Sequence, residues 1–439
     1  MSDLFDYFLV FATFVGISYS IVESVILILE RRRAQRIKLD NIFLPPISVF
    51  KPLKGIDNQL DENLRSFFKL DYPRYELIFG INDLDDPAIA EVKKLQREYP
   101  QIRSRLIVNE FRVGPNPKVN NLYNMYPYAN YDYFIISDSN VRVDCDYLRR
   151  MAAEMVSEKV GLVTSVIRGI NTNSIGSILE NLHLNTFIAS NIYTVKRLFN
   201  ISITIGKSML FRRETLERIG GIKVLTDYLA EDHVLGRKIA NLGLEIRTAS
   251  SCINTVNNGW KFGDFINRHL RWATMRRHVN IWHYLAEVFS NPILFALFYL
   301  MKNPDFLGTA LFISVYISKS LIDLSAGKSM RADIKSYLYF LTPIKDLIII
   351  GIWIVPFFNF TINWRGNFFI VSRNTRLTCL NDRNVIVKPT FGSAYSMAFR
   401  NSISAGSLSL VQRAFWFTGL AGQSMVSGTR RLIERVARV

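Results

Sequence analysis

A chain of 439 residues with 54 Lys and Arg against 37 Asp and Glu, net +17, can build one large domain or two smaller ones and attracts anionic partners. Mean hydropathy is nonetheless positive and aromatic residues make up 13%, which does not suit a soluble nucleic-acid binder and points to a membrane protein with a basic cytoplasmic face. Three cysteines (Cys145, Cys252, Cys379) and five histidines match no zinc spacing, which excludes finger chemistry; the thiols read as reduced and buried.

Tyr7 to Leu29 is an apolar run interrupted by Glu23, long enough to cross a bilayer core of about 30 Å. Glu30-Arg31-Arg32-Arg33, Arg36 and Lys38 follow, so the positive-inside rule puts the next domain in the cytoplasm. The basic cluster comes after the run and no small-x-small cleavage site is evident, so residues 1–30 read as a signal anchor and not as a cleaved leader. Glu23 fits either a helix–helix contact or the membrane interface.

From Pro45 short apolar runs alternate with helical stretches. Strands are predicted at 47–50, 76–81, 105–108 and 133–137, with helices at 60–68 and 87–99. Such alternation implies a mainly parallel α/β sheet, with ligands at the carboxyl ends of its strands. Asp83 and Asp138 fall at those ends. A carboxylate there often caps the next helix; two such placements, with Asp232 to follow, favour a site. Lys118, in Asn116-Pro117-Lys118, reads either as a phosphate-reaching group or as a surface lysine.

Thr186 to Ile205 is moderately apolar with Lys196 and Arg197 inside, the pattern of an amphipathic segment at a membrane surface. Gly206-Lys207-Ser208 is not a phosphate-binding P-loop, because Ile201 stands where the upstream glycine is needed. Glu231-Asp232 opens a helix carrying Leu235, Ile239 and Leu242 at helical spacing and stopped at Gly243. Asp232 is favoured there by exposed N–H groups, and a plain cap is the alternative. Arg268, Arg271 and Trp272 lie at i, i+3 and i+4. On a helix they share one face, two planar guanidiniums and an indole suited to clamping a diphosphate; a solvated basic turn with an anchored Trp is the alternative.

Three apolar blocks follow, Tyr284 to Met301, Phe306 to Leu324 and Tyr337 to Phe358, the first two joined by a tight hairpin at Lys302-Asn303-Pro304-Asp305. The third carries Lys345-Asp346, an expected intramembrane ion pair. Counting crossings places Trp364-Arg365-Gly366 outside, whereas Arg365, Arg373, Arg376 and Lys388 argue for inside; a re-entrant 342–358 would reconcile the two. Residues 407–439 read as a basic interfacial helix or a disordered stretch. The expected domains are thus an anchor at 1–30, a cytoplasmic catalytic domain at 40–283, a membrane bundle at 284–358 and a basic tail at 359–439.

Asp83, Asp138, Glu231-Asp232 and Arg268-x-x-Arg271-Trp272, in that order, resemble the inverting nucleotide-sugar glycosyltransferases of the GT-A fold, an α/β Rossmann-like architecture. More narrowly, the chain from Phe50 to Gly366 resembles the ceramide glucosyltransferase family. Lys51-Pro52-Leu53-Lys54-Gly55, Leu70-Asp71-Tyr72-Pro73, Asp85-Asp86-Pro87-Ala88-Ile89, Asn116-Pro117-Lys118 and Glu158-Lys159-Val160-Gly161-Leu162-Val163 carry that likeness. The resemblance implies that Asp83 recognises the uracil or its ribose, with Lys51 and Pro52 lining the same pocket. It implies a divalent cation, Mg²⁺ or Mn²⁺, at Asp138, although Asp138-Ser139-Asn140 replaces the Asp-x-Asp of many relatives. Where relatives carry His-Pro near the acceptor, Ala189-Ser190-Asn191 stands here. Asp232 is expected as general base with Glu231 assisting, a UDP-sugar (favoured: UDP-glucose) as donor and a membrane lipid (favoured: ceramide) as acceptor. Another lipid alcohol, such as a hopanoid, is the enzymatic alternative. A basic membrane scaffold binding nucleic acid is the non-enzymatic one, and strand-end carboxylates that repel phosphate argue against it.

Overall fold

The computed structural model describes residues 2–37, 39, 43–364 and 366–380; the expectations for Lys38, Arg365, Lys388 and the tail beyond 380 lie outside these. Helix α1 (Ser2–Arg36) is longer than the apolar run, because its basic last turns continue out of the span and dock on the catalytic domain. There Arg31 Nη1 donates to the Ser250 carbonyl (3.0 Å) and the Ala34 carbonyl accepts from Arg150 (3.4 Å).

The catalytic domain is built on eight strands: β1 (Ile47–Leu53), β2 (Tyr75–Ile81), β3 (Ser104–Val108), β4 (Tyr133–Ser137), β5 (Val141–Arg142), β6 (Val160–Ile170), β7 (Ser208–Arg212) and β8 (Glu245–Val256). They lie in the order β3-β2-β1-β4-β7-β6-β8-β5. Every residue of β1 and β2 is buried, as their apolar runs require for strands covered on both faces. The covering helices of the first half are α2 (Leu60–Phe68), α3 (Ala88–Glu98), α4 (Pro117–Met125) and α5 (Tyr147–Ala153).

The sheet is mainly parallel, as expected, with β6 and β8 pairing parallel in its longest ladder, but it is mixed. β1, β2, β3 and β4 run parallel, but β7 enters antiparallel between β4 and β6, and β5 pairs antiparallel with β8. The reason is the excursion after β6. The chain leaves through α6 (Ile175–His183), a π-helical turn at Leu184–Ile188 and α7 (Ala189–Phe199), and re-enters the sheet from the opposite end. Within residues 186–205, expected at the membrane surface, α7 packs along α1. Asn191 donates to Glu23 (3.2 Å) there, so buried Glu23 is a helix–helix contact. After β7 come α8 (Arg213–Arg218), α9 (Glu231–Asn241) and, beyond β8, α10 (Phe262–Val279).

The apolar blocks form α11 (Ile281–Ala286), α12 (Pro292–Lys302), α13 (Phe306–Ser329) and α14 (Thr342–Ile354). Among the described residues, Asp3–Arg36, Phe306–Ser329 and Ser336–Phe357 are long and apolar enough to cross a membrane; Ile281–Ser290 and Pro292–Lys302 together form a fourth candidate, bent by 61°. That bend breaks the expected continuous block at Pro292, whose missing N–H is tolerated at the first position of α12 while Asn291 caps the turn. The expected Lys345–Asp346 pair is present at 2.8 Å, extended by Lys319–Asp346 (3.6 Å) and Lys319–Asp323 (2.6 Å). Past α14, β9 (Thr361–Trp364), β10 (Asn367–Val371) and β11 (Leu377–Cys379) make a small antiparallel sheet. The thiols are not uniformly buried: Cys252 is, whereas Cys145 is exposed and Cys379 partly so.

Candidate active site

One cleft of about 2120 Å³ opens along the carboxyl ends of β1, β2 and β4 and gathers Pro52, Asp83, Lys118, Asp138, Glu231 and Asp232. Asp83 stands exposed in the turn after β2, where its side chain accepts from the Asp85 N–H (3.0 Å). Capping of the following helix falls to Asp86, which accepts from Gly55 N (2.8 Å) and Ala88 N (2.8 Å) and leaves Asp83 to the cleft.

Asn116-Pro117-Lys118 is a helix start with a second use. Asn116 Oδ1 caps α4 through the N–H groups of Lys118 (2.9 Å) and Val119 (3.1 Å), and Pro117 fills the position where an N–H is not needed. The Lys118 side chain is therefore launched from a rigid turn into the acids. Its ammonium meets Asp138 Oδ1 (2.8 Å), Glu231 Oε1 (2.9 Å) and the Gly206 carbonyl (2.8 Å). Burial works against its charge, but Asp138 and Glu231 outweigh burial and raise its pKa above the ordinary lysine value. It is not a surface lysine.

Glu231 and Asp232 occupy the first two positions of α9; the cap position is Ala230, so Asp232 is not a plain cap. Its oxygens accept from the main-chain N–H of Gly206 (2.7 Å) and of His233 (2.7 Å). A Cβ on Gly206 would lie 2.8 Å from Asp232 Oδ2, so this close approach needs glycine. Burial, opposed by Lys118, raises the pKa of both carboxyls above the ordinary range.

Lys51 is the residue the cleft does not receive. Fully buried in β1, its ammonium turns inward under the Asp138 turn, to the Asp138 carbonyl (2.5 Å) and Ser137 Oγ (3.3 Å), over the Phe67 ring at 3.9 Å. Lining of the Asp83 pocket therefore falls to Pro52, because an inward-facing strand position cannot also face the ligand. Burial holds the Lys51 pKa well below the usual lysine value.

α10 carries Arg268, Arg271 and Trp272 on one face, and all three reach the cleft. Arg268 packs on the Trp260 ring at 3.9 Å and is tethered by Glu180 Oε1 (2.7 Å), while His269 Nε2 meets Glu180 Oε2 (2.9 Å). Burial would raise the Glu180 carboxyl, but Arg268 and His269 hold it at about 2. Arg271 lies 5.9 Å from the Trp364 ring of β9, and Trp272 packs against the main core. Sequence reasoning missed Glu180 and Trp260, which nothing in their local patterns marks, and noted Lys207 only as part of the Gly206-Lys207-Ser208 motif.

Asp138 and Asn140 offer hard oxygen donors of the kind Mg²⁺ or Mn²⁺ takes, but among the described residues no group of three His, Cys, Asp or Glu could hold an ion. Lys118 and Lys207 already meet those oxygens, so an ion at Asp138 would have to arrive with a diphosphate and draw its other ligands from phosphate and water. Away from the acids the same cleft becomes apolar, lined by Val15 and Tyr19 of α1, Ile188, Ile192 and Val195 around α7, and Phe289.

A mixed α/β sheet with carboxylates at its strand ends, facing a basic helix across a cleft, defines a glycosyltransferase of the GT-A class. The model of glycosyl transferase family 21 matches residues 8–377, and the chain belongs to that family. It is 30% identical over 337 residues to ceramide glucosyltransferase 3 of Caenorhabditis elegans, covering 74% of this chain and 72% of that one. It is 27% identical to ceramide glucosyltransferase 1 of the same organism (78% and 75% covered) and 26% identical to the ceramide glucosyltransferase of Komagataella phaffii (56% and 60%). Among solved structures, a mannosyltransferase from Pyrobaculum calidifontis in complex with GDP-Man and Mn²⁺ is similar at a TM-score of 0.45 and 16% identity, covering 79% of this chain and 99% of that one.

Proposed function

We propose that the enzyme transfers a hexose, favoured as glucose, from a UDP-sugar to the primary hydroxyl of a membrane lipid, favoured as ceramide, with inversion at the anomeric carbon. The observation that carries this reading is the cleft itself. The cleft that holds the acid pair of α9 is also lined by Val15 and Tyr19 of α1 and by Ile188, Ile192 and Val195 around α7, which gives it an apolar arm. A soluble acceptor has no use for such an arm.

In this reading Asp83 and Pro52 receive the uridine, and Lys51 supports the Asp138 turn from beneath. Asp232 takes the proton of the acceptor hydroxyl as its oxygen attacks C1, and the bond from C1 to the diphosphate breaks on the opposite face. One base suffices for a single displacement, and a pKa raised by burial suits it to the task. Glu231 keeps Lys118 in place. Lys118, Arg268, Arg271 and Trp272 receive the charge that develops on the leaving diphosphate, where preorganised donors are most effective. A divalent ion, when bound by Asp138 with the Asn140 carbonyl, supplies further neutralisation of that charge. The lipid enters sideways from the cytoplasmic leaflet, with the catalytic domain on the basic, cytoplasmic side of α1.

The test is transfer from a panel of UDP-sugars to a lipid extract, with product masses and anomeric configuration read out. A glycosylated lipid of inverted configuration is expected. Transfer only to water-soluble acceptors, or retention of configuration, refutes the reading.

A further inference from the structure

The antiparallel pairing of β4 with β7 sets Ser137 opposite Ser208. One step beyond that pair the two strands end in Asp138 and Lys207, which the ladder therefore brings face to face. Lys207 Nζ donates to Asn140 Oδ1 at 2.5 Å and lies 3.6 Å from Asp138 Oδ2, with its side chain only 13% exposed. The adjacent Gly206 gives its N–H to Asp232 and its carbonyl to Lys118. A two-residue turn thus links the proposed base, the Lys118 ammonium and the Asp138 turn.

The amide at position 140 gives this arrangement its meaning. A carboxylate there would repel a diphosphate unless a divalent ion stood between them. A neutral amide oxygen does something else: it aims an ammonium. We propose that Lys207, oriented by Asn140, is a resident diphosphate-binding cation of the donor site, supplying part of the charge neutralisation that a second carboxylate would have had to obtain from a metal ion. This rests on the nucleotide-diphosphate reading above. Lysine suits the role as a compact charge with three donors, two of which can meet phosphate oxygens while one stays on Asn140. Lys118 does not make it redundant, because Lys118 also neutralises Asp138 and Glu231.

The experiment is calorimetric binding of UDP and of uridine to the full-length protein in detergent micelles, with EDTA present throughout. Wild type is expected to bind UDP more tightly than uridine without metal. In Lys207→Met the UDP affinity should fall by about tenfold or more, the loss of one charged hydrogen-bonding partner, with uridine affinity unchanged. Lys207→Arg should recover most of the loss. Should Lys207→Met not fold, shown by lost uridine binding, Asn140→Ala decides, since it only unhooks the amine; it should lower UDP but not uridine affinity. Adding Mn²⁺ to Lys207→Met should restore part of the UDP affinity. UDP binding in EDTA that is the same in wild type, Lys207→Met and Asn140→Ala overturns the proposal while leaving the donor reading intact. Failure of wild type to bind UDP with or without Mn²⁺ overturns the donor reading and this proposal with it.

Discussion

Asp232 is held at both oxygens by main-chain N–H groups, so its position does not depend on any side chain that titrates nearby. Asp232→Asn turns its NH2 on one of those two N–H groups and loses that bond, so UDP binding is measured beside transfer as a check on the cleft, while transfer is expected to fall by roughly 10²–10⁴-fold, the worth of a general base. Single-turnover kinetics beside calorimetry measure both, and near wild-type turnover would remove Asp232 from the role. The sign of the pH dependence follows from its raised pKa. The basic form is lost as pH falls through that value, so the acid limb of kcat should lie above the range of an ordinary aspartate. Lys207 sets the opposite limb. Facing Asp138, Asp57, Lys118, Arg268 and Lys51, it is pushed by burial down to about 8, so its charge, and with it UDP affinity, should decline as pH rises through about 8. A UDP affinity flat from pH 7 to 9 contradicts this. Arg271→Lys keeps the charge but loses the planar fork and its approach to Trp364, and is expected to slow transfer by about tenfold; wild-type rates in that variant would exclude the clamp. At this scale the acids were legible because each ends a buried strand or opens a helix. Lys207 was not, because its place depends on a strand pairing that no local spacing encodes.

The elements divide into those that hydropathy reveals and those that it hides. β1, β2 and β4 are apolar runs and were readable as strands. β6 and β8 are equally buried, yet their middles read Thr164-Ser165 and Thr248-Ala249-Ser250-Ser251. Their hydroxyls are accommodated across and beside the ladder: Ser165 Oγ meets Ser251 Oγ at 3.3 Å and Thr164 Oγ1 donates to the Ser208 carbonyl at 3.0 Å. Long-range partners of this kind leave no periodic trace; the antiparallel members of the sheet are instead the short β7 and β5. α7 packs along α1 and lines the cleft, while Leu198, Phe199 and Ile201 at and beyond its last turn are exposed. That placement makes a testable element of it. Val195→Trp, at a half-buried position that lines the cleft, should raise the KM for long-chain acceptors severalfold and leave UDP affinity unchanged. In wild type, each methylene removed from the acceptor chain should cost up to about 0.8 kcal/mol of kcat/KM until the arm is empty. Efficiency independent of chain length in one detergent would assign the arm to anchoring alone.

Across the whole molecule, the contacts decide what crossing counts and charge counts could not settle together. Asp6, near the start of α1, pairs with Lys302 (2.7 Å) and Asn303 (3.1 Å), so the α12–α13 hairpin lies at the end of α1 far from the catalytic domain. At the other end of α13, Asp333 accepts from Asn171 N (2.7 Å) and Thr172 Oγ1 (2.9 Å), which returns the chain to the catalytic domain. α14 starts there and also finishes there. Trp353 Nε1 donates to the Tyr284 carbonyl (2.8 Å), and the following small sheet bonds to the segment before α9 through Leu229 N to Thr375 O (2.8 Å) and Leu377 N to Asp227 O (2.8 Å). A segment that leaves and rejoins one domain suits a re-entrant path, although Ser336–Phe357 is long and apolar enough to cross. The expectation is therefore that α1, the bent 281–302 pair and α13 span the membrane, that residues 336–357 are re-entrant, and that 361–380 share the side of the catalytic domain. Cys145 is exposed on that domain and serves as the internal reference. In sealed vesicles, with Cys379 replaced by Ser, an impermeant maleimide should label Ser372→Cys only under the conditions that label Cys145. Pro304→Cys should be labelled from the opposite face. Were Ser372→Cys to react from the side of Pro304→Cys, 336–357 would be a true crossing, and the contacts that join β9–β11 to the segment before α9 could not form in the membrane-embedded enzyme.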